Sequence, residues 1–138
     1  MPTNTAGGQT RHYPDHMVHY ARKYFTKADA GNTLKLVTLP AGALVLRGGV
    51  AVIEAFNAGT NNRANLGVAA DADDFATLLA LGTIGVIVAD EMATATDFYS
   101  ESERDVSVVV DVTGTAATTG KAIAWVEYLV PEGLVGSS

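Results

Sequence analysis

Short apolar stretches, separated by turn residues about every ten positions, constrain the fold of this chain more than any other feature of its sequence. The clearest stretch places four valines on one side: Val106, Val108, Val110 and Val112. The next stretch places three large apolar residues on one side: Ile123, Trp125 and Leu129. A period of two is typical of a β-strand with one buried face. We therefore expect these two strands to form a hairpin across Gly114–Gly120, with both sets of side chains in the core.

Along the whole chain, the pattern predicts roughly seven to nine short strands and no long amphipathic helix between them. This favours an all-β, jelly-roll-like antiparallel β-sandwich over a parallel α/β sheet. The length of 138 residues suits one domain, and 48% hydrophobic against 17% charged residues favours a packed core over disorder. We predict three parts: an extended N-terminal arm at residues 1–27, the sandwich domain at residues 28–132, and a flexible C-terminal tail at residues 133–138.

Charge divides the chain at the same boundary. Residues 1–27 contain four basic residues and one acidic residue, whereas residues 28–138 contain five basic and fourteen acidic residues, within a net charge of −6. A negative body argues against nucleic acid as a partner, because phosphate contacts need clustered Lys and Arg. No apolar run approaches the roughly 20 residues that cross a bilayer, so we expect no membrane partner either. The absence of cysteine excludes disulfides and thiolate metal ligands.

Three histidines within eight residues are the strongest hint of a metal site: His12, His16 and His19. Pro14 interrupts a helix that would align them, and no carboxylates complete the set, so we interpret them as solvated or interface residues. The acidic run Asp71–Asp74 lacks the glycine and glutamate spacing of an EF-hand and is interpreted as a turn. No nucleophile motif or phosphate-binding loop is present. We expect no enzymatic activity, no cofactor and no metal.

The segment between the last two strands, Gly114–Gly120, is small and uncharged. Loop tips of this kind are either exposed or pressed against a neighbour, and strands at sheet edges can pair with a second copy of the chain. We therefore predict a homo-oligomer. Its self-association loop is predicted to consist of Thr115, Ala116, Ala117, Thr118 and Thr119.

Several motifs resemble those of a group of small structural proteins of tailed bacteriophages. The first are Val37–Val45 (VTLPAGALV), Glu54–Thr60 (EAFNAGT), Leu66–Ala69 (LGVA) and Asp73–Phe75 (DDF). The others are Thr113–Ala122 (TGTAATTGKA) and Val126–Tyr128 (VEY). The resemblance covers about residues 34–130 and consists of strand and turn patterns. The part of the chain up to Lys27 lies outside it.

The resemblance implies a capsid decoration (cement) protein that binds the outer head surface of the virion and bridges capsid subunits, after assembly in the host cytoplasm. Such proteins have jelly-roll or related β-folds, act as dimers or trimers, and carry no catalytic residues. The implied partner is the major capsid protein. The alternatives are a neck, tail or baseplate protein of the virion, and a carbohydrate-binding β-sandwich module, which would need a cluster of exposed aromatic residues.

The N-terminal arm supplies the candidate contact residues. A basic, aromatic segment with no core of its own gains order only by lying on a partner, and a capsid shell repeats the same contact surface many times. We therefore expect residues 11–27 to clamp the shell. The candidates for that contact are Arg11, Tyr13, His16, Tyr20, Arg22, Lys23, Tyr24 and Phe25.

Overall fold

The computed structural model describes residues 18–69, 71–89 and 95–130. These residues form eight β-strands, a 3₁₀ turn at Lys27–Asp29 and the short helix α1 at Ala95–Phe98. The strands are β1 His19–Thr26, β2 Thr33–Leu39, β3 Leu44–Glu54, β4 Asn61–Val68, β5 Asp71–Ala80, β6 Gly85–Val88, β7 Arg104–Thr113 and β8 Lys121–Leu129.

The strands form two four-stranded sheets in which every pairing is antiparallel. Sheet 1 has the strand order β1-β8-β3-β6, and sheet 2 has the order β2-β7-β4-β5. Every connection except the one from β4 to β5 therefore crosses from one sheet to the other. The expected all-β antiparallel sandwich is confirmed.

The predicted hairpin of the last two strands is wrong. Strand β7 pairs with β2 and β4, whereas β8 pairs with β1 and β3. The loop at Gly114–Gly120 thus carries the chain from sheet 2 to sheet 1. Alternation of apolar residues identifies a strand, but it does not identify the neighbour to which that strand is hydrogen-bonded.

The core lies between the two sheets and draws on both. Phe25 and Phe75 are completely buried, as is Leu66, and the four alternating valines of β7 are buried as expected. The ring centroids of Phe25 and Phe56 lie 5.9 Å apart, and this contact connects the end of β1 with the loop after β3. Complete burial of a side chain of this size contributes roughly 1.5–3 kcal/mol. This core determines which side of each strand faces outward.

Strand β1 belongs to the sandwich, although sequence analysis assigned residues 19–26 to an arm outside it. It pairs with β8 over its full length, from His19 opposite Tyr128 to Thr26 opposite Lys121. The core-facing positions of β1 include both the buried Phe25 and the exposed Lys23. Lys23 is exposed because β1 is an edge strand and lies at the margin of the core. That lysine hid the alternation that would have identified the strand.

The larger apolar side chains of β8 face away from the core, contrary to prediction. Ala122, Ala124 and Val126 are completely buried, whereas Ile123 and Trp125 lie on the opposite side of the strand and are partly exposed. Both sides of β8 are apolar, so alternation alone does not reveal which side is inside.

Candidate protein-contact surface

The side of sheet 1 that faces away from the core carries a continuous apolar surface. Side chains at paired positions of antiparallel strands lie on the same side of a sheet, so the strand register identifies its members. The first row across the four strands is Tyr24, Ile123, Ala51 and Val86. The second row is Arg22, Trp125, Gly49 and Val88, and the third is Tyr20, Glu127 and Arg47. We call these three rows the apolar face.

Much of the apolar face is exposed to solvent. The exposed fractions of Tyr20 and Val86 are 67% and 68%, and those of Tyr24 and Val88 are 52% and 50%. With Val18, which precedes β1, these side chains expose on the order of 500 Å², given that a whole aromatic side chain offers 150–250 Å². The largest apolar patch on a typical monomer is about 300–600 Å², and a standard interface buries about 800 Å² on each partner. The apolar face is therefore large enough to form the centre of an interface.

Trp125 is fixed at the middle of the apolar face. A side chain at Gly49 would overlap the carbonyl oxygen of Ile87 and would approach the indole ring of Trp125 to 3.1 Å, so only glycine leaves room for the ring at this position. The guanidinium carbon of Arg47 lies 6.0 Å from the indole centroid. Arg47 also donates a hydrogen bond of 2.9 Å from Nε to Glu127. The indole therefore packs over Gly49 with Arg47 beside it.

A shallow groove of about 260 Å³ runs beside Trp125 at the β1 edge of the apolar face. Its lining residues are Val18, Tyr20, Trp125 and Glu127. On the other side of the same two strands, the ring of His19 stacks on the ring of Tyr128 with 5.7 Å between the centroids. The groove gives the otherwise flat sheet a depression into which a partner side chain can fit.

Basic residues border the apolar face. Arg22 lies in the second row, and Lys121 lies just beyond the first row with Glu54 opposite it on β3. Within residues 18–69, 71–89 and 95–130, neither cation forms an ion pair, and the carboxylate of Glu127 is already bound to Arg47. Around the apolar face, Arg22, Arg47 and Lys121 outnumber Glu54 and Glu127, in a protein whose net charge is −6. A protein surface with carboxylates around an apolar patch would complement it.

The outer side of sheet 2, which we call the polar face, has the opposite character. Asp105 accepts a 2.6 Å hydrogen bond from the hydroxyl of Thr38 and lies 3.3 Å from the Lys35 ammonium. The Thr38 hydrogen bond, assisted by Lys35, lowers the pKa of Asp105 below its usual value. Arg63 on β4 lies opposite Asp111 on β7. Its Nε and Nη2 both donate hydrogen bonds to the Asp111 carboxylate, at 3.2 and 2.9 Å. On the polar face, Asp105 and Asp111 are therefore each paired with a cation.

One end of the sandwich carries the predicted self-association loop, which is bonded to the loop after β3. The Asn57 side chain accepts hydrogen bonds from the backbone N–H groups of Thr118 and Thr119. The Thr119 hydroxyl donates to the carbonyl of Ala55, and the Gly59 N–H donates to the carbonyl of Thr115. These bonds give the loop a defined shape, and its role in self-association stays a prediction.

The other end of the sandwich carries an acidic group around Arg104. The run interpreted as a turn begins strand β5 instead, and Asp74 there lies close to the buried Asp97. Burial raises the pKa of Asp74, and the charge of Asp97 adds to this rise. Burial lowers the pKa of Arg104, although Asp74 and Asp97 oppose that shift. The adjacent depression of about 460 Å³ is lined by Val68, Asp74, Tyr99, Ser100, Glu101 and Arg104.

The residues predicted to contact a shell fall into three groups. Tyr20, Arg22 and Tyr24 lie on the apolar face, whereas Lys23 is exposed on the opposite side of β1. Phe25 is completely buried, so it cannot contact a partner and that part of the prediction is wrong. Arg11, Tyr13 and His16 lie outside the described residues, as do residues 133–138 of the predicted tail.

Sequence reasoning missed the members of the apolar face that come from the other three strands. Val86 and Val88 sit in a four-residue edge strand, and Trp125 was assigned to the core. One signal was available: on β8 the small residues Ala122 and Ala124 alternate with the large Ile123 and Trp125. Two apolar sides on one strand indicate a second buried or contacting surface.

Among the helices of the described residues, none is long and apolar enough to cross a bilayer. Across the same described ranges, no three His, Asp or Glu side chains are grouped so that they could hold a metal ion.

Three structures of phage capsids contain a chain with a similar fold. A chain in the acid-stable capsid of Helicobacter pylori bacteriophage KHP30 matches with a TM-score of 0.65 and 20% identity, covering 84% of this chain and 90% of its own length. A chain in the capsid asymmetric unit of cyanophage Pam1 matches with a TM-score of 0.57 and 22% identity, covering 83% and 84%. A chain in the capsid of Ralstonia phage GP4 matches with a TM-score of 0.59 and 20% identity, covering 83% and 85%.

No protein-family model matches the sequence, and no curated protein matches it significantly. At 20–22% identity, the likeness to the three capsid chains shows a shared fold. Because each match covers most of both chains, the three chains are also similar to this one in length.

Proposed function

We propose that this protein is a structural component of a tailed-phage virion, and more narrowly a decoration (cement) protein on the outer surface of the head. The observation that carries the proposal is the match of nearly the whole chain to chains of similar length in three phage capsid structures. The motifs of residues 34–130, which resemble those of small virion proteins, support it independently. In this role the protein binds the major capsid protein and bridges neighbouring subunits of the shell.

The proposed role is adhesive rather than catalytic. It requires an exposed contact surface and a rigid body, and the sandwich offers both: an apolar face on sheet 1 and loops held by hydrogen bonds at one end. The proposal includes a dimer or trimer, because each contact of a bridging protein is then multiplied on a repeated shell.

A deletion of the gene in the phage that encodes it tests the proposal. We expect heads assembled without the protein to lose their DNA at lower temperature, and purified full-length protein to bind those heads again. Electron microscopy of rebound particles should then show it at repeated positions on the outer shell. Density confined to the neck, tail or baseplate would replace the decoration role with one of those alternatives, and no density on the particle would contradict a virion role.

A carbohydrate-binding module is the second candidate, and one observation favours it. Tyr20, Tyr24 and Trp125 lie together on the apolar face, so the aromatic cluster that such a module needs is present. Sugar recognition also needs free polar groups beside the rings. Glu127, the carboxylate nearest to Trp125 in the groove, is already bound to Arg47, which favours a protein partner. A glycan array probed with the purified protein separates the two, and specific glycan binding would favour the module.

A further inference from the structure

We propose that the apolar face is the surface by which the protein is held on the shell, and that the shell presents to it an apolar patch bordered by carboxylates. The identity of the partner rests on the proposed function, whereas the choice of face rests on the structure of the chain alone. The polar face of sheet 2 then points away from the shell, toward solvent.

The distribution of side-chain size on β8 is the first argument. The strand turns Ala122 and Ala124 into the core and leaves Ile123 and Trp125 outside. Apolar area left in water forgoes roughly 25 cal/mol per Å² of stabilisation. Tyr20, Tyr24, Val86 and Val88 expose further apolar area on the same face, so the arrangement suits a surface that is covered in the assembled state.

The packing of Trp125 also supports this choice of face. The ring lies over Gly49 and beside Arg47, which is itself bound to Glu127. Ordering a side chain when a complex forms costs roughly 0.5–1.5 kcal/mol, and a side chain that is already ordered avoids this cost. Aromatic residues held in this way at the centre of an apolar surface are typical of residues that dominate the energy of an interface.

The cations at the apolar face indicate the kind of partner that it fits. Arg22 lies on the apolar face and Lys121 lies at its border, and neither forms an ion pair in the described part of the chain. Two copies packed face to face across a two-fold axis would bring these like charges together, which disfavours such a dimer. A partner with carboxylates around an apolar patch would complement both the charge and the apolar area of this face.

Sedimentation with heads that lack the protein provides the test. The double variant Tyr20→Ser/Tyr24→Ser removes apolar area, and Arg22→Glu reverses one border charge. Each has a matched control on sheet 2: Leu78→Asn removes an apolar side chain that is 50% exposed, and Lys35→Glu makes the same change of charge. We expect both apolar-face variants to bind heads at least tenfold more weakly than wild type, and both controls to bind within about twofold of it. Thermal unfolding of all four variants shows that each is folded.

The possible outcomes separate this inference from the proposed function. If wild type and all four variants bind heads equally well, the face assignment is overturned while the decoration role stands. If wild type does not bind heads at all, the decoration role fails and the shell is not the partner. Sedimentation velocity of the protein alone adds one more outcome: if wild type is an oligomer and the apolar-face variants are monomers, a second copy covers this face and the inference is wrong.

Discussion

The two outer faces of the sandwich differ although they belong to sheets of the same size. On the polar face, Asp105 and Asp111 each have a cation within hydrogen-bonding or ion-pairing distance, so the charges satisfy one another. On the apolar face, tyrosine and valine side chains are exposed, and the cations Arg22 and Lys121 form no ion pair in the described ranges. One side of the molecule therefore has its carboxylates paired in solvent, whereas the other exposes apolar area suited to contact.

The largest effect is expected for Gly49→Ala on the apolar face. The new methyl group would overlap the Ile87 carbonyl oxygen and press on the Trp125 ring. Such overpacking costs roughly 1–3 kcal/mol, so urea unfolding should show a loss of that size. Gly82→Ala is the control, because its nearest neighbour would be the Phe56 carbonyl oxygen at 3.9 Å. If Gly49→Ala lowers the free energy of unfolding no more than Gly82→Ala does, the close packing of Ile87 and Trp125 around Gly49 is contradicted.

A smaller difference is expected between two arginines on opposite faces. Arg63→Ala removes two hydrogen bonds to the half-buried Asp111 and should lower the free energy of unfolding by about 1 kcal/mol. Arg22→Ala on the apolar face removes no ion pair within the described residues and should change it by less than about 0.5 kcal/mol. Chemical denaturation of both variants makes the comparison. Equal losses would mean that the apolar face also satisfies its charges internally.

The smallest effect concerns pH and the polar face. The pKa of Asp105 is lowered by the Thr38 hydrogen bond and by Lys35. A carboxyl whose pKa is lowered by folding stabilises the protein above its unfolded pKa, and this contribution is lost as pH falls through the folded value. Asp105→Asn should therefore weaken the loss of stability below about pH 4, measured by thermal unfolding across pH.

Asp74→Asn is the opposite-sign control for that measurement. Burial raises the pKa of Asp74, so this carboxyl favours the folded state at low pH and opposes it as pH rises through the raised value. The variant should be at least as stable as wild type at pH 7. An identical pH profile for Asp105→Asn and wild type would show that the Thr38 and Lys35 contacts contribute nothing to stability.

The class of the fold could be predicted from the sequence, but the pairing of the strands could not. The alternation of Val106 to Val112 predicted a half-buried strand correctly, because only one side of β7 is strongly apolar. On β8 both sides are apolar, so the period could not distinguish the core side from the outer side, and Trp125 was placed wrongly. Strand partners depend on loop crossings and on long-range packing, which local periodicity does not record.

The candidate site was predictable only in part. The basic and aromatic composition of residues 11–27 pointed to a contact role, and Tyr20, Arg22 and Tyr24 do lie on an exposed surface. Phe25 belongs to the core because it sits on the inward side of β1, a fact that follows only from the pairing with β8. Val86 and Val88 could not have been joined to this site from the sequence, since the register of β6 with β3 brings them there.

Hydroxyl-radical footprinting of the protein, free and bound to heads, measures whether the apolar face is covered by the shell. The reporters on the apolar face are Tyr20, Tyr24 and Trp125, and Leu78 reports on sheet 2. We expect rapid oxidation of Tyr20 and Tyr24 in the free protein and a severalfold slower rate on heads, with little change at Leu78. Rates for Tyr20 and Tyr24 that stay the same on binding, while Leu78 becomes protected, would contradict it.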